Sequence, residues 1–181
     1  MIPLGCVTGR FQPVHDQHLA LFEIALAECR HLVVAVTNPD TGARHAESTS
    51  AHRHTASANP FNYFERVRLL EAAVRDRGLA ERTTLVPFDL NRPEIWSQYV
   101  PLSARQFVRA FSDWEREKAR WFEHAGYAVT VLDGDPSDRL SASDIRAGMR
   151  AGDGSWHRLV PAATMPLLDD MLQGVPMAER T

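Results

Sequence analysis

Short apolar segments rich in β-branched residues alternate with segments of helical periodicity along this chain, and the first three of them constrain the fold most. Residues 2–8 form an apolar run that ends at Gly9, which predicts a buried strand. In residues 15–29 the apolar side chains recur at helical spacing, and residues 32–36 (LVVAV) predict a second strand. A strand, a helix and a strand in this order form a β-α-β unit with parallel strands.

The alternation continues along the rest of the sequence, with no internal repeat and no linker. Strands and helices in this order predict a single α/β domain over residues 1–181, with a mostly parallel sheet flanked by helices on both faces. The further strands are expected at residues 83–88, 106–111 and 128–132. The further helices are expected to begin at the N-caps Asn59 and Asp113, at Pro93, and near Ser143 and Ala162.

Composition and charge exclude several function classes. The formal net charge of −3 gives no indication of a nucleic-acid partner. No apolar run approaches the roughly 18 residues of a membrane span, and no leader segment is evident, so we expect a cytoplasmic protein that does not bind membranes. The cysteines Cys6 and Cys29 lack CxxC spacing, which is typical of a reducing compartment.

The segment GRFQPVHDQH, residues 9–18, follows the first predicted strand and contains the candidate functional side chains Arg10, His15 and His18. If a helix begins near Val14 or His15, then His15 and His18 share one face of its first turn. That turn also exposes free backbone N–H groups and the positive end of the helix dipole. Gly9 lets a ligand approach the backbone, and Arg10 adds a positive charge. Together these features favour a bound anion, most naturally a polyphosphate.

Other interpretations of the histidines stay open at this point. His15 and His18 are also compatible with exposed polar residues, or with a metal pair that needs further ligands. A second group, His45, His52 and His54, lies in the polar loop of residues 38–57, where solvated side chains are the simpler interpretation. A loop of this length is also a candidate for closing over a substrate.

The segment GRFQPVHDQH resembles the GRFQPxHxGH signature of the nucleotidylyltransferase superfamily, in particular of the archaeal-type nicotinamide mononucleotide (NMN) adenylyltransferases. Further segments are similar to motifs of the same family and occur in the same order. They are NPFNYFER at residues 59–66, Ile95-Trp96, SASDIR at residues 141–146, and Trp156 with Leu159-Val160-Pro161.

The resemblance implies a Rossmann-like nucleotidylyltransferase fold and an in-line reaction. A phosphate oxygen of a small acceptor attacks the α-phosphorus of a nucleoside triphosphate, and pyrophosphate leaves. It also implies Mg²⁺ that bridges the triphosphate oxygens and stays mostly hydrated, so that no protein metal site is expected. The expected partners are ATP or CTP and a phosphate- or phosphonate-bearing acceptor. A homo-oligomer is expected as well.

The resemblance also assigns roles to individual residues. His15 and His18 would stabilise charge on the triphosphate, and Arg146 would hold its β- and γ-phosphates. Without the resemblance, residues 141–146 are more simply a helix N-cap followed by a solvated arginine. Trp96 and Arg10 would bind the acceptor, although Trp96 is also compatible with core packing. The expected nucleotide-binding residues are Gly9, Arg10, Phe11, Gln12, Gln17, Ser141 and Ser143.

Two departures from the family pattern bear on specificity. Gln17 stands where the family has a glycine, which opens the choice between ATP and CTP. The segment FSDWEREK, residues 111–118, replaces a Gly-Asn-Pro segment that shapes the acceptor pocket. NMN with ATP is the leading pair, and CTP with a small phosphonate is the alternative. A nucleotide sensor without turnover is the third hypothesis. The candidates for binding a phosphonate are Arg53, Arg105, Arg109 and Arg116.

Overall fold

The computed structural model describes residues 1–44 and 54–180, and within them five parallel strands form one sheet in the order β3-β2-β1-β4-β5. This arrangement confirms the α/β prediction, and each strand lies where the apolar runs predict it. The strands are β1 Ile2–Gly9, β2 Cys29–Thr37, β3 Thr83–Phe88, β4 Arg105–Ala110 and β5 Val129–Asp133.

Helices connect consecutive strands, as a parallel sheet requires. Two predicted N-caps are wrong by a few residues. Asn62 rather than Asn59 caps the second helix, because its side chain accepts from Glu65 N and its own backbone N–H donates to the Glu65 carboxylate. Ser112 rather than Asp113 precedes the fourth. The helices are α1 Asp16–Glu28, α2 Tyr63–Asp76, α3 Trp96–Tyr99, α4 Asp113–His124, α5 Ala142–Ala151 and α6 Met165–Gly174.

The sheet separates two apolar clusters. Successive residues of β2 point to opposite faces, so Val34 belongs to the cluster that includes residues of α1, α2 and α5, while Val33 belongs to the cluster that includes residues of α3 and α4. Helix α1 therefore covers one face and α4 covers the other. Because β4 pairs with β1 directly, the strand order reverses between these two strands. In open parallel sheets a crevice forms at the carboxyl edge of such a reversal, and ligands bind there.

No helix in the described ranges is both long and apolar enough to cross a membrane.

Candidate active site

A cleft of about 380 Å³ opens at the carboxyl edge of the sheet, where β1 and β4 end. Its wall on the α1 side comes from the turn after β1 and the start of α1, and its opposite wall comes from α4. The start of α5 closes a third side. All the predicted site residues except Trp96 line this cleft: Gly9, Arg10, Phe11, Gln12, His15, Gln17, His18, Ser141, Ser143 and Arg146.

The turn after β1 is built around the ring of Phe11. Its φ of 51° turns the chain back, and the buried ring lies edge-on to His18 with the centroids 4.9 Å apart. A Cβ atom at Gly9 would stand 2.8 Å from this ring, so the position accepts only glycine without displacing Phe11. Gly9 therefore allows the packing that orients His18.

His15 and His18 stack on each other at the start of α1, with ring centroids 3.6 Å apart. His15 is the N-cap, and its backbone N–H donates to Nδ1 of His18 at 3.2 Å. A neutral His18 that accepts at Nδ1 carries its proton on Nε2, which can then donate to a ligand. Nδ1 of His15 is buried and has no hydrogen-bond partner among the described residues. The pair thus presents polar atoms that a ligand oxygen would satisfy.

Both imidazoles are neutral near pH 7 in the free protein. Burial, and then the positive charge of Arg139, lower the pKa of His15 to about 4. Burial, and then neighbouring His15 and Lys118, hold the pKa of His18 well below its ordinary value. The positive potential of the free cleft therefore comes from arginine and lysine side chains, and the histidines act there as hydrogen-bonding groups.

Gln12 and Arg66 hold the turn in place through backbone contacts. The Gln12 amide donates to the Phe61 carbonyl at 2.8 Å and accepts from Phe61 N at 3.0 Å. Arg66 is 1% exposed and donates to the carbonyls of Arg10, Thr37 and Asn38, at the ends of β1 and β2. The segment at residues 59–66 therefore supports the cleft from behind.

Arg146 reaches the cleft from α5. It is 4% exposed, so the interpretation as a solvated arginine is wrong. Its Nη1 donates to the Gln12 carbonyl at 2.8 Å and its Nη2 to Ser143 Oγ at 3.0 Å, while Nε has no partner in the part of the chain described. Burial lowers its pKa to about 10, which leaves it cationic. Ser141 is the N-cap of α5 and accepts from Ser143 N.

Gln17 connects the start of α1 to the segment before α5. Its amide nitrogen donates to the Asp138 carbonyl, and its oxygen accepts from Leu140 N at 2.8 Å. The side chain is thus held across the cleft edge where the resembling family has a glycine. It narrows the space beside the helix start.

Trp96, which was expected to bind the acceptor, does not line the cleft. It is 2% exposed and packs among Phe88, Phe122 and Tyr127, and its Nε1 donates to the Asp89 carbonyl at 2.8 Å. Of the two interpretations left open for this residue, core packing matches the structure. In this conformation Trp96 cannot stack on an acceptor.

Sequence reasoning missed several charged residues that line the cleft. From the α4 side come Lys118, which is 7% exposed, and Glu115, which accepts from Arg139 at 2.9 Å. Of the four candidate arginines, Arg109 lines the cleft. Arg105 bonds to Thr130, Arg116 pairs with Asp133, and Arg53 lies outside the described residues. One sequence signal could have pointed to Lys118: it is the only lysine in a chain whose other long basic side chains are all arginine.

The donor set of the cleft fits a metal that is carried by phosphate oxygens. Across residues 1–44 and 54–180, no three His, Cys, Asp or Glu side chains are grouped to hold a metal ion. Among the described residues, Glu115 is the one carboxylate that lines the cleft, and it is paired with Arg139. His45 and His52 lie outside the described residues, so the loop-histidine hypothesis stays a prediction.

Comparisons with known proteins agree with the motif resemblance. The cytidylyltransferase-like family model matches residues 6–148. The chain is 34% identical over 160 residues to a phosphonoformate cytidylyltransferase of Streptomyces viridochromogenes, covering 88% of this chain and 86% of that protein. It is 32% identical over 168 residues to a nicotinamide-nucleotide adenylyltransferase of Thermococcus onnurineus, covering 92% and 82%.

The fold also matches a solved structure. A bifunctional NMN adenylyltransferase/ADP ribose pyrophosphatase from Francisella tularensis, complexed with AMP and a manganese ion, superposes with a TM-score of 0.67 at 15% identity. The match covers 98% of this chain and 51% of that one, so the chain corresponds to about half of it. This similarity confirms the Rossmann-like prediction.

Proposed function

The chain belongs to the cytidylyltransferase-like family and is a nucleotidyltransferase, and from this premise we propose that the cleft transfers a nucleotidyl group from a nucleoside triphosphate to a small phosphonate or phosphate acid. The observation that carries the proposal is the stacked pair His15 and His18, which stands at a helix start and lines the same cleft as Arg146. Such an arrangement binds a polyphosphate through backbone N–H groups, imidazole N–H and guanidinium.

The transfer needs no general base on the protein. The attacking acceptor oxygen is already anionic near neutral pH, so no proton has to be removed from it. As its bond to the α-phosphorus forms, the bond from that phosphorus to the bridging oxygen breaks, and pyrophosphate leaves with the electron pair. Neutral His18 donates through Nε2–H, and Arg146 offers its cationic guanidinium to the charge that develops.

We assign the divalent metal to the triphosphate rather than to the protein. Mg²⁺ binds phosphate oxygens and keeps several waters, which suits a cleft whose lining carboxylate is engaged by Arg139. When bound, the ion neutralises charge on the triphosphate. The protein then has to position the phosphates and the acceptor, which it does with residues of α1 and α5.

CTP with a compact phosphonate is the substrate pair that the geometry supports best. The Gln17 side chain takes up space beside the start of α1. The smaller pyrimidine ring of CTP fits the remaining space better than the purine ring of ATP. Trp96 is buried away from the cleft, which removes the stacking platform that a pyridine acceptor needs. The relative from Streptomyces viridochromogenes is named for such a pair.

ATP with NMN is the second candidate. It is favoured by similarity over 92% of the chain to the nicotinamide-nucleotide adenylyltransferase of Thermococcus onnurineus. Ser141, Ser143 and Arg146 of the motif at residues 141–146 line the cleft, and Arg66 of the motif at residues 59–66 donates to the Arg10 carbonyl behind it; both features are compatible with this candidate.

The test is a matrix of four triphosphates against NMN, phosphonoformate and inorganic phosphate, followed by pyrophosphate release with Mg²⁺ present. We expect the largest kcat/KM for CTP with phosphonoformate. The largest value for ATP with NMN would instead establish the second candidate. Triphosphate binding without pyrophosphate release in every combination would contradict both and leave the sensor hypothesis.

A further inference from the structure

Lys118 is a cation on the buried face of α4, where helices ordinarily carry apolar side chains. It lies on the inner face of α4 and is 7% exposed, beside buried Ala119 and Phe122. Its Nζ lies 3.4 Å from the Thr8 carbonyl and 5.3 Å from the centroid of the Trp114 ring. A buried ammonium group that lines a cleft adds positive charge to it, and burial strengthens its interaction with an anion bound there.

Thr8 offers a second polar atom at the same place. It is the penultimate residue of β1 and is 7% exposed, and its Oγ1 is buried without a hydrogen-bond partner among the described residues. Both Thr8 and Lys118 line the cleft, and Arg109 lines it from the neighbouring strand β4. A ligand oxygen here would satisfy the hydroxyl and meet positive charge.

The position of Lys118 relative to the histidines indicates which part of a ligand it meets. His15 and His18 belong to the start of α1, on one side of the sheet reversal, and Lys118 belongs to α4, on the other side. An acceptor in the crevice has to present its reacting oxygen near the imidazoles. Its other end then lies toward α4, where the positive charge of Lys118 is close enough to affect His18.

We propose that Lys118, with Thr8 Oγ1, binds a second anionic group of the acceptor, so that the acceptor class is a compact phosphonate or phosphate that also carries a carboxylate. This inference rests on the proposed function, because it assigns the acceptor end of the same cleft. Lys118 is then a specificity residue that distinguishes a diacid acceptor from a simple phosphonate and from an acceptor with an aromatic ring.

The first test compares two acceptors that differ by one carboxylate, phosphonoformate and methylphosphonate, at saturating CTP. We expect the wild-type protein to favour phosphonoformate by about tenfold or more in kcat/KM. Lys118→Met should abolish this preference by raising the KM for phosphonoformate, so that the two acceptors have about equal kcat/KM. The KM for CTP should stay within about twofold of wild type. Thr8→Val should raise the same KM by a few-fold. Arg120→Met, an exposed change on the same helix, is the control.

A loss that is equal for both acceptors would show a structural role for Lys118 and overturn the inference, as would an unchanged preference. A second measurement does not depend on turnover. Because the chain has one lysine, its ε-amine can be followed alone by mass spectrometry during acetylation. We expect phosphonoformate to slow this labelling at least about fivefold, and methylphosphonate to have little effect.

The two measurements separate this inference from the proposed function. Protection of Lys118 by phosphonoformate without any turnover would retain the anion site while the proposed phosphonate transfer fails. Turnover of phosphonoformate with no protection and no effect of Lys118→Met would retain the proposed function and overturn the inference.

Discussion

The histidines of the cleft act as neutral hydrogen-bonding groups in the free protein, and their charge depends on the ligand. Burial lowers the pKa of both rings, but a bound triphosphate would place negative charge beside them and raise it again. His18 is the better placed of the two, because the backbone bond at Nδ1 directs its remaining proton through Nε2. The contribution of each residue is therefore set by its hydrogen bonds and by burial.

His18→Ala removes the imidazole donor from the reaction. We expect turnover to fall about 100-fold with the fold retained, as when one preorganised donor to a transition state is lost. Steady-state pyrophosphate release measures this loss, and circular dichroism checks the fold. His124→Ala, which changes an exposed histidine at the end of α4, should leave turnover at the wild-type level. Wild-type turnover in His18→Ala would exclude His18 from the mechanism.

Gln17→Gly tests the control of base choice by one side chain. Removing the amide opens the space beside the helix start, so we expect the ratio of kcat/KM for ATP over CTP to rise about tenfold. Gln17→Leu retains the volume but loses both hydrogen bonds, and it should leave the ratio near that of wild type. An unchanged ratio in Gln17→Gly would show that this residue does not determine nucleobase choice.

The elements that form the cleft are held together by a few buried polar side chains. Arg66 on α2 joins the ends of β1 and β2, and Arg146 on α5 joins that helix to the turn after β1. Loops whose carbonyls are buried need such donors, because an unpaired buried carbonyl is costly. The positions of the helices thus depend on individual side chains as well as on the apolar clusters.

Arg66→Met replaces the donor at the strand ends by an apolar side chain. The change leaves the carbonyls of Arg10, Thr37 and Asn38 without the bonds that Arg66 makes. We expect the free energy of unfolding to decrease by about 3 kcal/mol, measured by urea denaturation. Arg68→Met, an exposed change on the same helix, should stay within about 0.5 kcal/mol of wild type. Similar losses in both variants would contradict the assigned role of Arg66.

At the scale of the whole molecule, the sheet joins two apolar clusters, and the cleft forms where the helices of both faces meet at the reversal between β1 and β4. Titratable side chains buried in this crevice affect the free energy of unfolding of the whole protein, because their pKa differs between the folded and unfolded states. Assembly into a homo-oligomer and cytoplasmic localisation stay predictions.

Acidification should destabilise the protein through the cleft histidines. The pKa of His15 is about 4 when folded and near its ordinary value of 6.5 when unfolded, so the unfolded chain binds more protons between these values. The stabilisation is thus complete above about pH 6.5 and is lost as the pH falls toward 4, by at most about 3 kcal/mol. His15→Gln should flatten the fall in unfolding free energy across this window in urea titrations. Parallel curves for the two proteins would contradict the assignment.

Family membership, the fold class and the motif residues that line the cleft could be predicted from the sequence, because the signals are local. Apolar runs mark the strands, and GRFQPVHDQH carries its own turn, helix start and imidazoles within ten residues. The residue type alone does not determine the cap of α2, because Asn59 and Asn62 are both good N-cap residues. The reciprocal bonds with Glu65 select Asn62.

The tertiary structure alone decided which distant residues meet at the cleft. Gln17 bonds to Leu140 across 123 positions, Lys118 comes beside Thr8, and Trp96 turns into the core. These outcomes follow from the strand order, which places β4 beside β1 although other elements separate them in the chain. Periodicity shows that a residue faces inward, whereas its neighbours there depend on which strands pair, and no local pattern specifies that pairing.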